Sequence, residues 1–159
     1  MVKTMTNLVG NDLIDFELPY VGEEGLAKLK LSEIASDKKV VLAFFPGAWT
    51  GACTKEMCSF RDDMTAYQDL NAEVVGVSVD LPWALNEFKK DQNLNFTLVS
   101  DANKTTIRAY DVVWPDFFGI KEVANRSVFV ISEGKITYQW VGENPGQMPD
   151  FDEVKKALT

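Results

Sequence analysis

The sequence predicts an α/β fold in which a central mixed β-sheet carries helices on both faces. Three observations lead there. Short runs dense in β-branched and aromatic residues alternate with segments of helical spacing. The early strand-like runs are apolar throughout rather than alternating, as strands covered on both faces are. The last two strand-like runs are separated only by Glu133-Gly134, a hairpin turn, which makes the sheet mixed rather than parallel.

Each element follows from its residues. Asp15–Leu18 and Leu26–Leu31 are expected to form an N-terminal β-hairpin, with the Gly22 to Gly25 stretch as its turn. Lys39–Phe45 (KVVLAFF) is a strand buried on both faces, stopped by Pro46 and Gly47. From Cys53 to about Leu70 the pattern is helical, because Met57, Phe60, Met64 and Tyr67 fall on one face, and Asn71 ends it. Glu73–Val79 is a second buried strand. Leu81 to about Lys90 is a helix that tolerates Pro82 in its first turn. Asn95–Val99 is a third strand, and Asp101 can cap a short helix running to Tyr110. Trp114-Pro115-Asp116-Phe117-Phe118 is placed in a loop that could line a pocket mouth or a subunit contact; Trp49 and Trp83 are expected in the core or an interface. Ser127–Ser132 and Lys135–Val141 are the hairpin strands, and Asp150–Leu158 is a closing helix.

Bulk properties narrow the function. The 159 residues suit a single domain spanning 1–159, and an apolar share of 46% is enough for a sizeable core. The net charge of −8 disfavours nucleic acid and anionic membrane as partners. No apolar run approaches the roughly 18 residues needed to span a bilayer. The start, Met1 to Asn7, lacks the apolar stretch of a signal peptide, which predicts a cytoplasmic protein. Two cysteines, Cys53 and Cys58, are too few for a disulfide framework and suggest redox or metal chemistry. With no histidine in the chain, two thiols cannot fill a tetrahedral zinc site, and no imidazole can serve as a general base. No Gly-x-Gly-x-x-Gly opens a helix, so a dinucleotide has no home, and no cofactor is expected.

The chemistry concentrates in Pro46-Gly47-Ala48-Trp49-Thr50-Gly51-Ala52-Cys53. A buried strand enters a loop, and Cys53 falls in or near the first turn of the next helix. Unpaired backbone N–H groups there carry partial positive charge and favour thiolate over thiol. Thr50 offers a hydroxyl either to the sulfur or a peroxide oxygen, or to the loop and helix cap. Pro46 stiffens the loop and presents no competing N–H. A cysteine at the start of a helix after a strand and loop is how thioredoxin-like folds present a reactive sulfur.

Pro46-x-x-x-Thr50-x-x-Cys53 resembles the peroxiredoxin active-site motif, Pro-x-x-x-(Thr/Ser)-x-x-Cys, in full. The resemblance continues through Glu56 and Arg61-Asp62 to Arg126 and the strand it opens. In element order it covers about Asn11 to Leu158. It implies a thioredoxin-like fold and a peroxidase in which Cys53 attacks a hydroperoxide. It implies that Arg126 lies beside the sulfur, where a permanent charge and a fork of N–H donors favour the thiolate and the departing oxygen. Glu56, one turn after Cys53, would orient that guanidinium, or else serve only as a first-turn acid complementing the helix dipole. The Cys-x-x-x-x-Cys spacing resembles the Q-type, or bacterioferritin comigratory, subfamily, which implies Cys58 as the resolving cysteine. The alternative is that Cys58 packs inertly and an outside thiol resolves. Trp49-Thr50-Gly51-Ala52 and Asn144-Pro145-Gly146 depart from that subfamily. The implied partners are a small hydroperoxide and a thioredoxin-like or glutaredoxin-like reductant, with a homodimer as the expected assembly.

Two other functions use the same sulfur. A thiol–disulfide oxidoreductase normally carries Cys-x-x-Cys at the helix start, and the gap of four residues here disfavours it. A redox-sensing or holdase-type binding module on the same scaffold would need only a reactive Cys53.

Overall fold

The computed structural model describes residues 6–159. The chain opens with an antiparallel hairpin of β1 (Glu17–Gly22) and β2 (Gly25–Lys30), followed by the single turn α1 (Leu31–Ile34). The hairpin and its turn are where the sequence expects them, but β1 starts at Glu17 rather than Asp15 and runs to Gly22, and Leu31 opens α1. Cross-strand backbone bonding carries Tyr20 and Val21 along although both are only half-buried.

The central sheet has the order β5-β4-β3-β8-β9. Its parallel half is β3 (Lys39–Phe44), β4 (Ala72–Ser78) and β5 (Thr97–Ser100). The hairpin of β8 (Ser127–Ser132) and β9 (Lys135–Val141) adds antiparallel to β3, turning at Glu133 and Gly134, both at positive φ. The sheet is therefore mixed for the reason the sequence supplies.

Strand β3 lies at the centre, and its side chains serve two cores alternately. Val40, Leu42 and Phe44 point to one face, with Ile107 and Tyr110 of α5 (Thr105–Ala109) and its C-cap, and with Leu31. Val41, Ala43 and Phe45 point to the other, with α2 (Gly51–Asp62), α3 (Met64–Asp69), α4 (Pro82–Asp91) and α6 (Phe151–Lys156). Each fully buried Val, Leu or Phe contributes about 1.5–3 kcal/mol, so the second layer, with Met57 and Phe60, holds α2 against the sheet. Gly76 on β4 makes room for that approach. A Cβ there would lie 2.5 Å from Leu98, 3.3 Å from Phe45 and 3.5 Å from Met57 of α2.

Two expectations are corrected. The single helix expected from Cys53 to Leu70 begins at Gly51 and is two helices, because Asp63 leaves the helical region (φ −104, ψ 12). Its carbonyl restarts the ladder by accepting from Ala66 N and Tyr67 N, and its carboxylate pairs with Lys155. The break keeps Met57, Phe60, Met64 and Tyr67 all buried, as their spacing requires. The second correction concerns Trp114 to Phe118. These residues form β6 (Val113–Phe117) and the start of its turn to β7 (Ile120–Ala124). Pro115 argues against a strand in sequence, yet here it sits on a two-stranded ribbon opposite an irregularity at Glu122 (φ +57), where no ladder donor is required.

Gly76→Val should destabilise the fold by about 1–3 kcal/mol through overpacking. Urea unfolding checks this, and an unchanged midpoint would show that α2 does not depend on the close approach.

Candidate active site

The loop between β3 and α2 is held from two directions. The Ala48 N–H donates to Asp80 Oδ2 at 2.9 Å, and Ser78 Oγ donates to the same oxygen at 2.8 Å. Thr50 occupies the N-cap position of α2, its carbonyl accepting from Thr54 N at 2.9 Å. Its hydroxyl donates to the Gly47 carbonyl at 2.9 Å and so braces the loop. Of the two uses the sequence leaves open for Thr50, this is the loop one. Thr50 also helps to line the cleft described below, and its hydroxyl oxygen keeps acceptor capacity.

Cys53 is the third residue of α2 and is fully buried. Arg126, immediately before β8, is 1% exposed. Its Nη2 donates to Cys53 Sγ at 3.1 Å and its Nη1 to Glu56 Oε1 at 2.8 Å. Nε and Nη2 both donate to the Pro145 carbonyl, at 3.1 and 2.9 Å. Backbone bonding fixes the arginine's base: Gly142 N donates to the Arg126 carbonyl at 2.9 Å, and Asn125 Nδ2 to the Gly142 carbonyl at 2.7 Å. One guanidinium thus ties together α2, the start of β8 and the 144–146 loop.

The electrostatics are those of a buried triad. Burial pushes the Glu56 carboxyl up to about 7, against the pull of the Arg126 charge and hydrogen bond. Glu56 Oε2 is buried with no hydrogen-bond partner among the described residues, so nothing but the Arg126 contact offsets the burial. Burial also opposes the Arg126 charge. The Glu56 and Cys53 charges and hydrogen bonds outweigh it and hold the guanidinium above its ordinary value.

A cleft of about 450 Å³ opens beside this triad, walled by Trp114, Phe117 and Phe118 of the β6–β7 hairpin and by Asn144, Pro145 and Gly146. Its floor is Thr50, Ala52 and Arg126. Cys53 itself has no exposed area and lies behind that floor.

Cys58 is half-buried on another side of α2. Its Sγ donates to Gln92 Oε1 at 3.6 Å, at the end of α4. Pro46 joins β3 to the loop. The structure therefore brings Cys53, Glu56 and Arg126 into direct contact, places Thr50 and Pro46 in the supporting loop, and holds Cys58 apart.

Comparison with known proteins places the chain in a family. The AhpC/TSA family model matches residues 9–139. The chain belongs to that family. Among its relatives is peroxiredoxin Bcp of Bacillus subtilis, 35% identical over 144 residues that cover 86% of each chain. A putative Bcp-type peroxiredoxin of Coxiella burnetii is 38% identical over 135 residues, covering 83% of this chain and 87% of the relative. A chloroplastic 2-Cys peroxiredoxin of Spinacia oleracea is 34% identical over 95% of this chain, but the chain spans only 58% of that relative's length. The solved structure of the peroxidoxin BcpB of Mycobacterium tuberculosis superposes with a TM-score of 0.82 at 30% identity, covering 98% of this chain and 97% of that one. As an AhpC/TSA-family peroxiredoxin, the chain has the thioredoxin-like fold that the sequence resemblance implies.

Two contributors to this peroxiredoxin site escaped the sequence. The Pro145 carbonyl is backbone, and any residue there would supply it; the Pro-Gly turn is the only hint. Asp80 sits after β4 with nothing in its neighbours to mark it, and only the fold brings it 2.9 Å from the Ala48 amide.

Glu56 gives a pH dependence of known sign. Its folded-state value lies above the ordinary 4.5, at about 7. Its contribution to stability is therefore fully present below about pH 4.5 and is lost as pH rises through about 7. The Glu56→Gln variant should gain stability relative to the unmodified protein across that window, measured as urea midpoints at about pH 5 and about pH 8. A constant difference would show that Glu56 does not titrate there.

Proposed function

We propose that this single-domain protein is a thiol-dependent peroxidase that reduces hydrogen peroxide and organic hydroperoxides through Cys53. The observation that carries the proposal is the Arg126 guanidinium donating to Cys53 Sγ at 3.1 Å while Glu56 holds its other arm. That arrangement favours an ionised sulfur without an imidazole. The thiolate attacks the terminal oxygen of ROOH; the S–O bond forms, the O–O bond breaks, and the departing alkoxide takes a proton to leave as ROH. Cys53 becomes a sulfenic acid, the first rung of thiol oxidation. The Nη2 donor that favours the thiolate is placed to stabilise charge on the departing oxygen. Glu56 orients the guanidinium, while Thr50 and Pro46 keep the loop in place. The aromatic walls of the cleft support organic hydroperoxides as substrates alongside hydrogen peroxide.

Cys58 resolves the sulfenic acid as an intramolecular disulfide, which a thioredoxin-like or glutaredoxin-like donor then reduces. On an intact helix a five-residue separation gives a rise of about 7.5 Å and a rotation of about 140°. The Cα atoms are then roughly 8–9 Å apart, beyond the 7 Å or so that a disulfide spans. The first turns of α2 must therefore unwind. No helix among the described residues is long and apolar enough to cross a membrane. With the net charge of −8, this supports a cytoplasmic protein without nucleic-acid partners. The exposed Trp49, Leu81, Trp83 and Phe118 support a homodimer.

Reduced protein mixed with limiting peroxide should react far faster than a free thiol, and Cys53→Ser should abolish the reaction. Arg126→Ala should slow the first oxidation by about 10²–10³-fold, the usual effect of removing one preorganised donor. A Cys53→Ser variant that still consumes peroxide overturns the proposal. Bridge formation should be accompanied by loss of helical circular dichroism equivalent to about two turns. An oxidised, bridged protein with an unchanged spectrum would show that α2 stays wound.

A further inference from the structure

The end of α4 contacts α2 and its leading loop at several points, and these contacts divide into two groups. Asp91 Oδ2 accepts from the Trp49 indole Nε1 at 3.3 Å, and the Trp49 ring packs edge-on against Phe88 with centroids 5.4 Å apart. Trp49 belongs to the loop before α2, on the side that must open for Cys53 to leave its pocket. Further along, Gln92 Oε1 accepts from Cys58 Sγ at 3.6 Å, and the Gln92 carbonyl accepts from Arg61 Nη1 at 2.6 Å. Asn95 Nδ2 donates to the Arg61 carbonyl at 3.3 Å. These contacts hold the second half of α2. Gln92 Nε2 donates to Asp91 Oδ2 at 2.9 Å, so one carboxylate joins the two groups.

The backbone adds a second, independent asymmetry. Trp49 has φ +63, in the left-handed region that a bulky L-residue occupies only when its surroundings compel it. Its indole bond and ring contact are such surroundings, so their loss favours a different loop conformation. Nothing comparable strains α2 at Cys58, which lies within a regular helix.

Given that Cys58 is the resolving thiol, we infer that the end of α4 is a divided clasp: Asp91 retains Trp49 and the part of α2 that opens, whereas Gln92 and Arg61 keep Cys58 in place to receive the travelling Cys53. Gln92 is then a positioning residue for resolution and Asp91 a restraint on it. The step itself is balanced within the chain. Cys58–SH and Cys53–SOH condense; the S–S bond forms, the S–O bond breaks, and the hydroxyl leaves with the thiol proton as water.

The two neighbouring residues therefore have opposite effects on one rate. The experiment is rapid-quench mass spectrometry of the full chain after limiting peroxide. It separates the species with one added oxygen from the bridged species that has lost two hydrogens. Asp91→Ala should accelerate bridging about two- to tenfold, the equilibrium range of one hydrogen bond, and make Cys53 harder to overoxidise. Gln92→Ala should slow bridging by a similar factor and expose Cys53 to overoxidation at lower peroxide. Both should leave the first oxidation rate unchanged, which a general loss of structure would not do. Trp49→Phe keeps the ring contact but removes the indole donor, and should behave as Asp91→Ala even if that variant folds poorly. Bridging rates unchanged in Gln92→Ala and Trp49→Phe, or shifted the same way in both, overturn the clasp while leaving Cys58 as the resolver. Failure of the unmodified protein to bridge at all overturns the resolving assignment, and the clasp with it.

Discussion

A guanidinium with 1% of its surface exposed needs an electrostatic environment built around it, and the arrangement of this site follows from that need. Moving such a cation out of water costs several kcal/mol even after relaxation. Here the compensation comes from a carboxylate on α2, a carbonyl in the 144–146 loop and the sulfur of Cys53. With Arg126 itself, these groups come from sequence positions 53, 56, 126 and 145, so no local segment could assemble them. The sheet does. Pairing of Phe44 with Ser127 sets the end of β3, from which the loop to Cys53 departs, beside Arg126. Gly142, at the end of the β8–β9 hairpin, fastens the arginine's backbone. Slippage of either pairing by one residue would turn Arg126 toward the opposite face of the sheet.

The same constraint explains which parts of the protein were legible in the sequence. Strand β3 was plain because burial on both faces leaves an uninterrupted apolar run, and the β8–β9 hairpin was plain because two residues must turn at positive φ. Cys53, Glu56 and Thr50 were visible because helix spacing is local, and Arg126 because a family pattern marked it. The Pro145 carbonyl and Asp80 were not, since each acts through backbone geometry supplied by a distant element. The β6–β7 ribbon was hidden by Pro115, whose missing N–H matters only where a ladder bond is required. The break at Asp63 was hidden because the apolar spacing of Met57, Phe60, Met64 and Tyr67 continues smoothly through it.

Burial also sets a competition inside the triad. The Glu56 carboxyl and the Cys53 sulfur share one cation, and Glu56 has an oxygen with no hydrogen-bond partner among the described residues. Burial outweighs the charge and hydrogen bond of Arg126 and raises Glu56 to about 7. When Glu56 is protonated, it still accepts from Nη1 and so still orients the fork, but the charge of Arg126 is left to the sulfur. A fully ionised Glu56 orients equally well and neutralises more.

The sulfur's seclusion follows from the same geometry and determines how α2 must behave. A helix start gives Cys53 its N–H dipoles only while it is wound, and the buried guanidinium gives its charge only while the pocket is closed. Both advantages belong to the resting state. After oxidation they have no further use, because a neutral sulfenic acid gains little from a cation or a dipole. The interactions that favour the thiolate therefore weaken at the moment when the first turns have to let go. What then holds α2 closed is packing and the contacts of the loop with α4, among them a tryptophan already in a strained conformation. On the proposed chemistry, oxidation at Cys53 would in this way lower the cost of the opening that resolution requires.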